Sequence, residues 1–342
     1  MSPVNLLVKS AAGLLAPPGA NARLTVMIFH RVVPQWDPLR PWEPDAEQFR
    51  MKMRWVADWF NVLPLSEAVA RVEARTLPSR PLAITFDDGY ADNLTVAGPI
   101  LKELDLPATC FVATGYLNGG RMFNDTVIES VRQAQGAQLD ASAAGLEKLP
   151  ITDHTQKLKA IDIILQTLKP LPPQERAAKA DALAQAIGAT LPSDLMMTSA
   201  QVRGLSQYGF SVGAHTVTHP ILSAVSDANA WEEIVSSKEQ LEVLSGGSVE
   251  LFAYPNGRPR WDYQSQHVAM VRRAGFRAAF SSAWGVATAG CDLYQLPRHT
   301  PWDRQSWKCG VRFLMNLTQV RYERTEAETG GSALPAPTFR ER

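Results

Sequence analysis

The chain has 342 residues, 45% hydrophobic and 20% charged, the composition of a soluble globular protein that can bury its core without disulfide or metal staples. Lys plus Arg and Asp plus Glu number 34 each, so no net field draws the chain toward nucleic acid or an acidic membrane surface. The three cysteines, Cys110, Cys291 and Cys309, have no CxxC spacing, which excludes a zinc ribbon and a disulfide framework.

The N-terminus carries Lys9 inside its short apolar stretch rather than ahead of it. That is the pattern of an amphipathic first helix and not of a signal peptide. No run approaches the roughly 18 apolar residues of a membrane span, so a cytoplasmic location without a membrane span is expected. Apolar runs at 24–29, 82–86, 108–113, 210–214, 251–254 and 278–281 are nearly continuous in character, as in strands covered on both faces or closed into a barrel. Helical patterns lie between them at 46–60, 66–75, 93–104, 231–244 and 263–274. This repeated alternation predicts a parallel α/β sheet or barrel. From about 121 to 195 the rhythm stops: no strand-like run occurs, and Pro170, Pro172 and Pro173 break an Ala-, Gln-, Lys- and Leu-rich stretch. We read this as a helical insertion carried on one barrel unit spanning 1–322. The charged tail over 323–342 is expected to be disordered.

Two segments carry chemistry. The run 82–90, LAITFDDGY, delivers Asp87 and Asp88 to the C-terminal mouth of a strand, where α/β folds place their sites. Neighbouring carboxylates in a turn point in different directions, so one can bind a metal while the other stays free as a base. Asp and Gly are equally at home in an ordinary turn or helix cap. The run 213–220, GAHTVTHP, sets His215 and His219 four residues apart, which on a helical turn puts both imidazoles on one face. Two His and one carboxylate leave a position for water on a divalent metal. A zincin protease would need Glu directly after the first His; Thr216 stands there, so the base must come from the Asp87–Asp88 segment. The same donors serve iron(II) oxygenases, whose all-β frame does not fit the alternation seen here.

Together, TFDDGY at 85–90 and HTVTH at 215–219 resemble the first and second motifs of the polysaccharide deacetylase family. The resemblance covers roughly residues 24–300. It implies a distorted (β/α) barrel of about seven strands, with Asp87 as general base and Asp88, His215 and His219 holding a divalent metal, usually Zn2+. It also implies an N-acetylated glycan or polysaccharide as substrate; removal of O-acetyl groups, or glycan binding with weak catalysis, stand as alternatives. The segment 252–257, FAYPNG, matches a later motif at Pro255 and Gly257, with Ala253 where the family has an Arg that orients the base. Arg298 is then the replacement expected beside Asp87, and the backbone N–H of Asn256 the expected oxyanion donor. The segment 296–299, LPRH, is one residue longer than the family's Leu-x-His; His299, or Arg298 in its place, is the expected general acid or electrostatic group. His30 ends the first strand and is expected at the same mouth, in a substrate role or simply solvated. Asn124 and Asp125 are read as a helix cap, His154 and His267 as surface residues. Trp36, Trp42, Trp284 and Trp302 fall in loops where sugar rings could stack or the loops could pack.

Overall fold

The elements follow the apolar runs closely because each run is flanked by residues that stop it. The computed structural model describes residues 3–326. In chain order it contains α1 (Pro3–Leu15), β1 (Thr25–Phe29), α2 (Ala46–Trp59), β2 (Asn61–Val62), α3 (Leu65–Ala74), β3 (Pro81–Phe86), α4 (Gly98–Glu103), β4 (Ala108–Val112) and α5 (Phe123–Gln133). There follow β5 (Gln138–Leu139), β6 (Leu149–Pro150), α6 (His154–Leu168), α7 (Pro173–Ile187), α8 (Ser199–Gly204) and β7 (Phe210–Ala214). The chain continues through α9 (Asp227–Ser245), β8 (Leu251–Ala253), α10 (Ser265–Arg273), β9 (Ala278–Phe280) and α11 (Ser306–Thr318). Side-chain caps fix several starts: Asp45 accepts from Gln48 N at α2, Ser226 from Asn229 N at α9, and Thr198 with Gln201 forms a capping box at α8.

The strands run parallel in the order β1-β3-β4-β7-β8-β9, with β2 also on β3. Residues 296–299 close the sheet toward a barrel: Leu296 bridges Phe280 of β9 in parallel, and His299 bridges Met27 of β1. The period of two sorts side chains into two layers. Leu82, Ile84 and Phe86 of β3 join the core against the surrounding helices, whereas Ala83 joins a second cluster with Val26, Phe111, Ala253, Phe280 and Leu296. Phe111 and Phe280 lie on strands that are not sheet neighbours, yet their rings meet at 5.5 Å; that contact crosses the barrel interior. Gly213 leaves the space the Phe111 ring occupies, because a Cβ there would collide with it.

Between β4 and β7 lie α5, α6 and α7, with their own apolar cluster of Val127, Ile128, Ile161, Ile164, Ala180 and Leu183 among others. The stretch expected to hold no strand contains one small antiparallel pair, β5 with β6. The proline break separates α6 from α7, Pro173 standing at the first position of α7, where its missing N–H costs nothing. Asp125 does not cap: it is buried in the first turn of α5, where its carboxylate accepts from Arg40 at 2.8 Å and from the Tyr90 hydroxyl at 2.9 Å. His267 is buried rather than on the surface, its Nδ1 accepting from Gln264 N at 2.9 Å. Of the tail, residues 327–342 lie outside the described residues. Before them Thr325 is anchored, its N–H donating to Gln295 Oε1 at 2.7 Å. No helix among the described residues is long and apolar enough to cross a membrane.

Candidate active site

The site stands at the C-terminal ends of β1, β3, β7 and β8, and the alternation of each strand decides what it contributes. On β3 the inward series runs Ala83, Thr85, Asp87. Backbone after Phe86 turns sharply, with Asp88 at φ +76° and Gly89 at +87°, so the second carboxylate points to a different place from the first. On β7 the inward series ends at His215. Beyond it the chain takes a left-handed turn rather than the expected helical one, with Thr216 at φ +65° and His219 at +52°. Such conformations cost roughly 1–3 kcal/mol each and persist only where surroundings hold them. Glu233 of α9 does so here. Its Oε2 accepts from the N–H groups of Val217 and Thr218, both at 2.8 Å, and Oε1 from the Thr218 hydroxyl at 2.5 Å.

One ligand atom each from Asp88, His215 and His219 falls within 4.8 Å of the others. Asp88 Oδ1 lies 3.5 Å from His215 Nε2 and 3.5 Å from His219 Nε2. For metal–ligand bonds of about 2.0–2.1 Å, tetrahedral ligand atoms stand about 3.4 Å apart, so the spacing fits one cation. Two further observations agree. Asp88 Oδ1 is buried without a hydrogen-bond partner, a costly state for a carboxylate oxygen that nothing coordinates. His215 Nδ1 lies 2.7 Å from the Ala253 carbonyl, which fixes the proton on Nδ1 and turns the Nε2 lone pair inward, the usual support of a metal-ligating imidazole. Burial, against the pull of Asp88, lowers the His219 pKa to about 3, leaving it neutral as a ligand must be. Burial also opposes charge on His215, but Asp87 and Asp88 overcome it and raise its pKa in the metal-free protein.

Asp87 belongs to a different pair. Arg298 Nη1 donates to Oδ1 at 2.7 Å and Nη2 to Oδ2 at 2.8 Å, while Nε donates to the Ser281 carbonyl at 2.9 Å. Both residues are 2% exposed. Burial works against ionisation of Asp87, yet Arg298 and then His215 outweigh it and lower its pKa. Ala253, inward on β8 and fully buried, is small where the guanidinium arrives from the closing segment.

A cavity of about 490 Å³ covers these groups, lined by Asp87, Asp88, His215 and His219 together with His30, Asn256 and, from the insertion, Lys169 and Arg176. His30 is exposed there, and Asn93 Nδ2 holds its backbone carbonyl at 2.8 Å. Asn256 takes a left-handed φ of +57° after Pro255, and its N–H makes no hydrogen bond among the described residues. Pro255 is a buried turn residue that does not line the cavity.

His299 is not in this cavity. Arg298 faces the barrel interior, so the next residue must face the other way. The His299 ring packs 5.0 Å from Phe313 of α11, and its Nδ1 accepts from Trp284 Nε1 at 3.1 Å. Burial and, after it, Arg312 lower its pKa to about 3, so at neutral pH the ring is uncharged, with its one proton on Nε2. The structure thus places His299, the expected general acid, outside the cavity that holds the other motif residues. Trp42 and Trp302, 58% and 60% exposed, line an adjoining cavity that shares Ile28, His30 and Thr300 with the first; Trp36 lines neither. Sequence reasoning missed Glu233 and the residues of the insertion. Their only signals are polar side chains at helical positions far along the chain from the motifs.

The chain matches the model of the family described as polysaccharide deacetylase over residues 74–163 and 175–279, more than half its length. It is 20% identical over 279 residues, 81% of this chain and 71% of the other, to YxkH of Bacillus subtilis (strain 168), a protein assigned as a polysaccharide deacetylase. Among solved structures it is similar to the deacetylase PplD of Streptococcus pyogenes, with a TM-score of 0.59 and 19% identity, covering 86% of this chain and 98% of that one. It is also similar to IcaB of Ammonifex degensii, with a TM-score of 0.56 and 17% identity over 87% and 98% of the two chains. At these identities the structures speak for the fold. The family match, joined to the sheet order and the motif residues gathered at its mouth, places this chain in the polysaccharide deacetylase family of hydrolases.

Proposed function

We propose that this protein removes N-acetyl groups from amino sugars of a polysaccharide or related glycan, with a divalent cation, Zn2+ by the donor chemistry, held by Asp88, His215 and His219. One observation carries the reading: a three-donor cluster with an orphaned carboxylate oxygen stands beside a second carboxylate, Asp87, which is clamped by Arg298 and kept out of that cluster. A cation at that cluster acidifies water and polarises an acetamide carbonyl.

The protein's own residues supply the rest. Asp87 is held ionised chiefly by Arg298, which outweighs its burial, and its position on the cavity wall lets it take the proton of attacking water. The unengaged N–H of Asn256 donates to the carbonyl oxygen as it gains charge, a contribution worth roughly 3–4 kcal/mol where such a donor has been removed. An amide, unlike an ester, must have its leaving nitrogen protonated. With His299 turned away, His30 on the cavity wall is an imidazole placed to supply that proton. Trp42 and Trp302 extend the lined surface beyond His30 and offer faces on which further sugar rings stack.

The test is acetate release from N-acetylglucosamine oligomers by zinc-loaded wild type and by Asp87→Asn. Turnover in the wild type, and its loss in a variant that still binds one zinc, is the expected result. Glycan binding with no acetate from the wild type, or near wild-type rates in Asp87→Asn, refutes the reading. Chromogenic acetate esters in parallel separate amide from ester specificity.

A further inference from the structure

The helical insertion brings a cation to the cavity that the deacetylation chemistry does not use. Arg176, in the first turns of α7, is 6% exposed, and neither a carboxylate nor any other hydrogen-bond acceptor satisfies its guanidinium among the described residues. Its one close partner is the Phe123 ring, 4.3 Å from the guanidinium carbon. A ring face attracts the charge but leaves the five N–H donors unsatisfied. A guanidinium on so largely buried a side chain usually pairs with an anion; here its nitrogens keep access to the cavities it lines. Other buried arginines of this protein follow that rule: Arg31 pairs with Asp92 at 2.7 Å, Arg40 with Asp125 and Arg298 with Asp87. Arg176 is the exception, and it lines the active-site cavity and the smaller cavity next to it. It also lies close enough to His219 to oppose protonation there.

Lys169 stands at the end of α6 on the same cavity wall. Between the two, Pro170, Pro172 and Pro173 turn the chain, so that the corner of the insertion presents both cations to the site. The insertion's one carboxylate on that wall, Asp162, accepts from Gln166 at 2.9 Å.

We propose that Arg176, with Lys169 beside it, forms a subsite for an oxyanion carried by the substrate, a carboxylate or a phosphate on the acetylated sugar or its neighbour. This deepens the deacetylase reading and rests on it for the identity of the sugar. A guanidinium presents parallel N–H groups that match either anion, and a charged hydrogen bond of this kind discriminates by about ten- to hundredfold.

The experiment compares three probes on the full-length, zinc-loaded protein: the neutral N-acetylglucosamine trimer, a disaccharide of N-acetylglucosamine and N-acetylmuramic acid, and N-acetylglucosamine 1-phosphate. Acetate release gives kcat/KM, and calorimetry gives Kd independently of turnover. One of the two anionic probes should exceed the neutral one at least tenfold in the wild type, and which one does so identifies the anion. Arg176→Gln should bring that ratio toward one, and Arg176→Lys should retain part of it. A loss of packing alone lowers all probes together and leaves the ratio unchanged. Should Arg176→Gln fail to fold, Arg176→Lys and Lys169→Gln are read by the same ratio. A wild-type ratio near one, or a ratio untouched in a folded Arg176 variant, overturns the subsite. If no probe yields acetate, the deacetylase reading falls, while the ratio of Kd values still decides whether the subsite exists.

Discussion

Replacing Arg298 by Met isolates what the closing segment does for Asp87. The side chain makes two hydrogen bonds to that carboxylate and one to the Ser281 carbonyl, in surroundings where both partners are 2% exposed. Met keeps much of the stem that passes Phe111 and removes the charge. Asp87 then remains buried without its cation, and leaving one partner of a buried pair alone costs about 3–5 kcal/mol. In the wild type the folded-state pKa of Asp87 is depressed, so the pair's contribution is complete above the unfolded value of about 3.9 and is lost as pH falls through the lower folded value. In Arg298→Met the largest influence opposing burial is gone and the neighbouring imidazoles remain, so the pKa rises from its wild-type position. Its penalty is therefore greatest near neutral pH and fades as pH falls and the carboxyl takes a proton. Urea unfolding at a series of pH values should show the gap between variant and wild type narrowing toward pH 4. The acid limb of the pH–rate profile should move to higher pH. Adding Asp87→Asn should restore most of the lost stability, since the orphaned charge is then gone. Equal stability of the single and double variants at pH 7, with an acid limb unmoved, would refute the claim that Arg298 holds Asp87 ionised.

Three further outcomes are expected. Removing metal with a chelator should abolish acetate release and lower Tm, and added Zn2+ should restore both, because a cation bound only by the folded state stabilises it by mass action; His219→Ala should show no such response. His30→Ala should lower kcat on amide substrates by about a hundredfold or more and much less on acetate esters, whereas His299→Ala should lose about 1–3 kcal/mol of stability and leave the pH dependence of kcat/KM in place. Gly213→Ala should destabilise by about 1–3 kcal/mol through the Phe111 ring its Cβ would meet, read as a shift in the urea midpoint with m unchanged.

The six apolar runs became six strands of the sheet because local character and burial agree there: each is short, nearly all apolar and followed by a turn. Asp87, Asp88, His215 and His219 were legible for a related reason. They stand just past a strand end, and the parallel sheet itself sends those ends to one mouth. Arg298 was legible only as the arginine available once Ala253 left a place empty. His299 was expected at the site by matching 296–299 to the family's Leu-x-His, although this segment is one residue longer. The structure makes that segment the last stave of the barrel, and period-two alternation then permits Arg298 or His299 to face inward, not both. The short β2 has too few residues to show a period, whereas α11 (Ser306–Thr318) does carry helical spacing, with Cys309, Phe313 and Leu317 on its buried face.

What sequence could not reveal about the insertion follows from the same physics. A motif is visible when residues that act together are neighbours in the chain or share one strand end. Lys169 and Arg176 reach the cavity from helices whose docking depends on a separate apolar cluster around Val127, Ile161, Ile164 and Leu183, and nothing local marks where those helices come to rest. Yet the proline break that looked like a simple interruption is the feature that matters: it ends α6 and starts α7 at the cavity wall. The barrel thus fixes the chemistry, through strand ends that the fold cannot move. The insertion sits where it can choose the substrate, through a corner that brings Lys169 and Arg176 to the cavity wall.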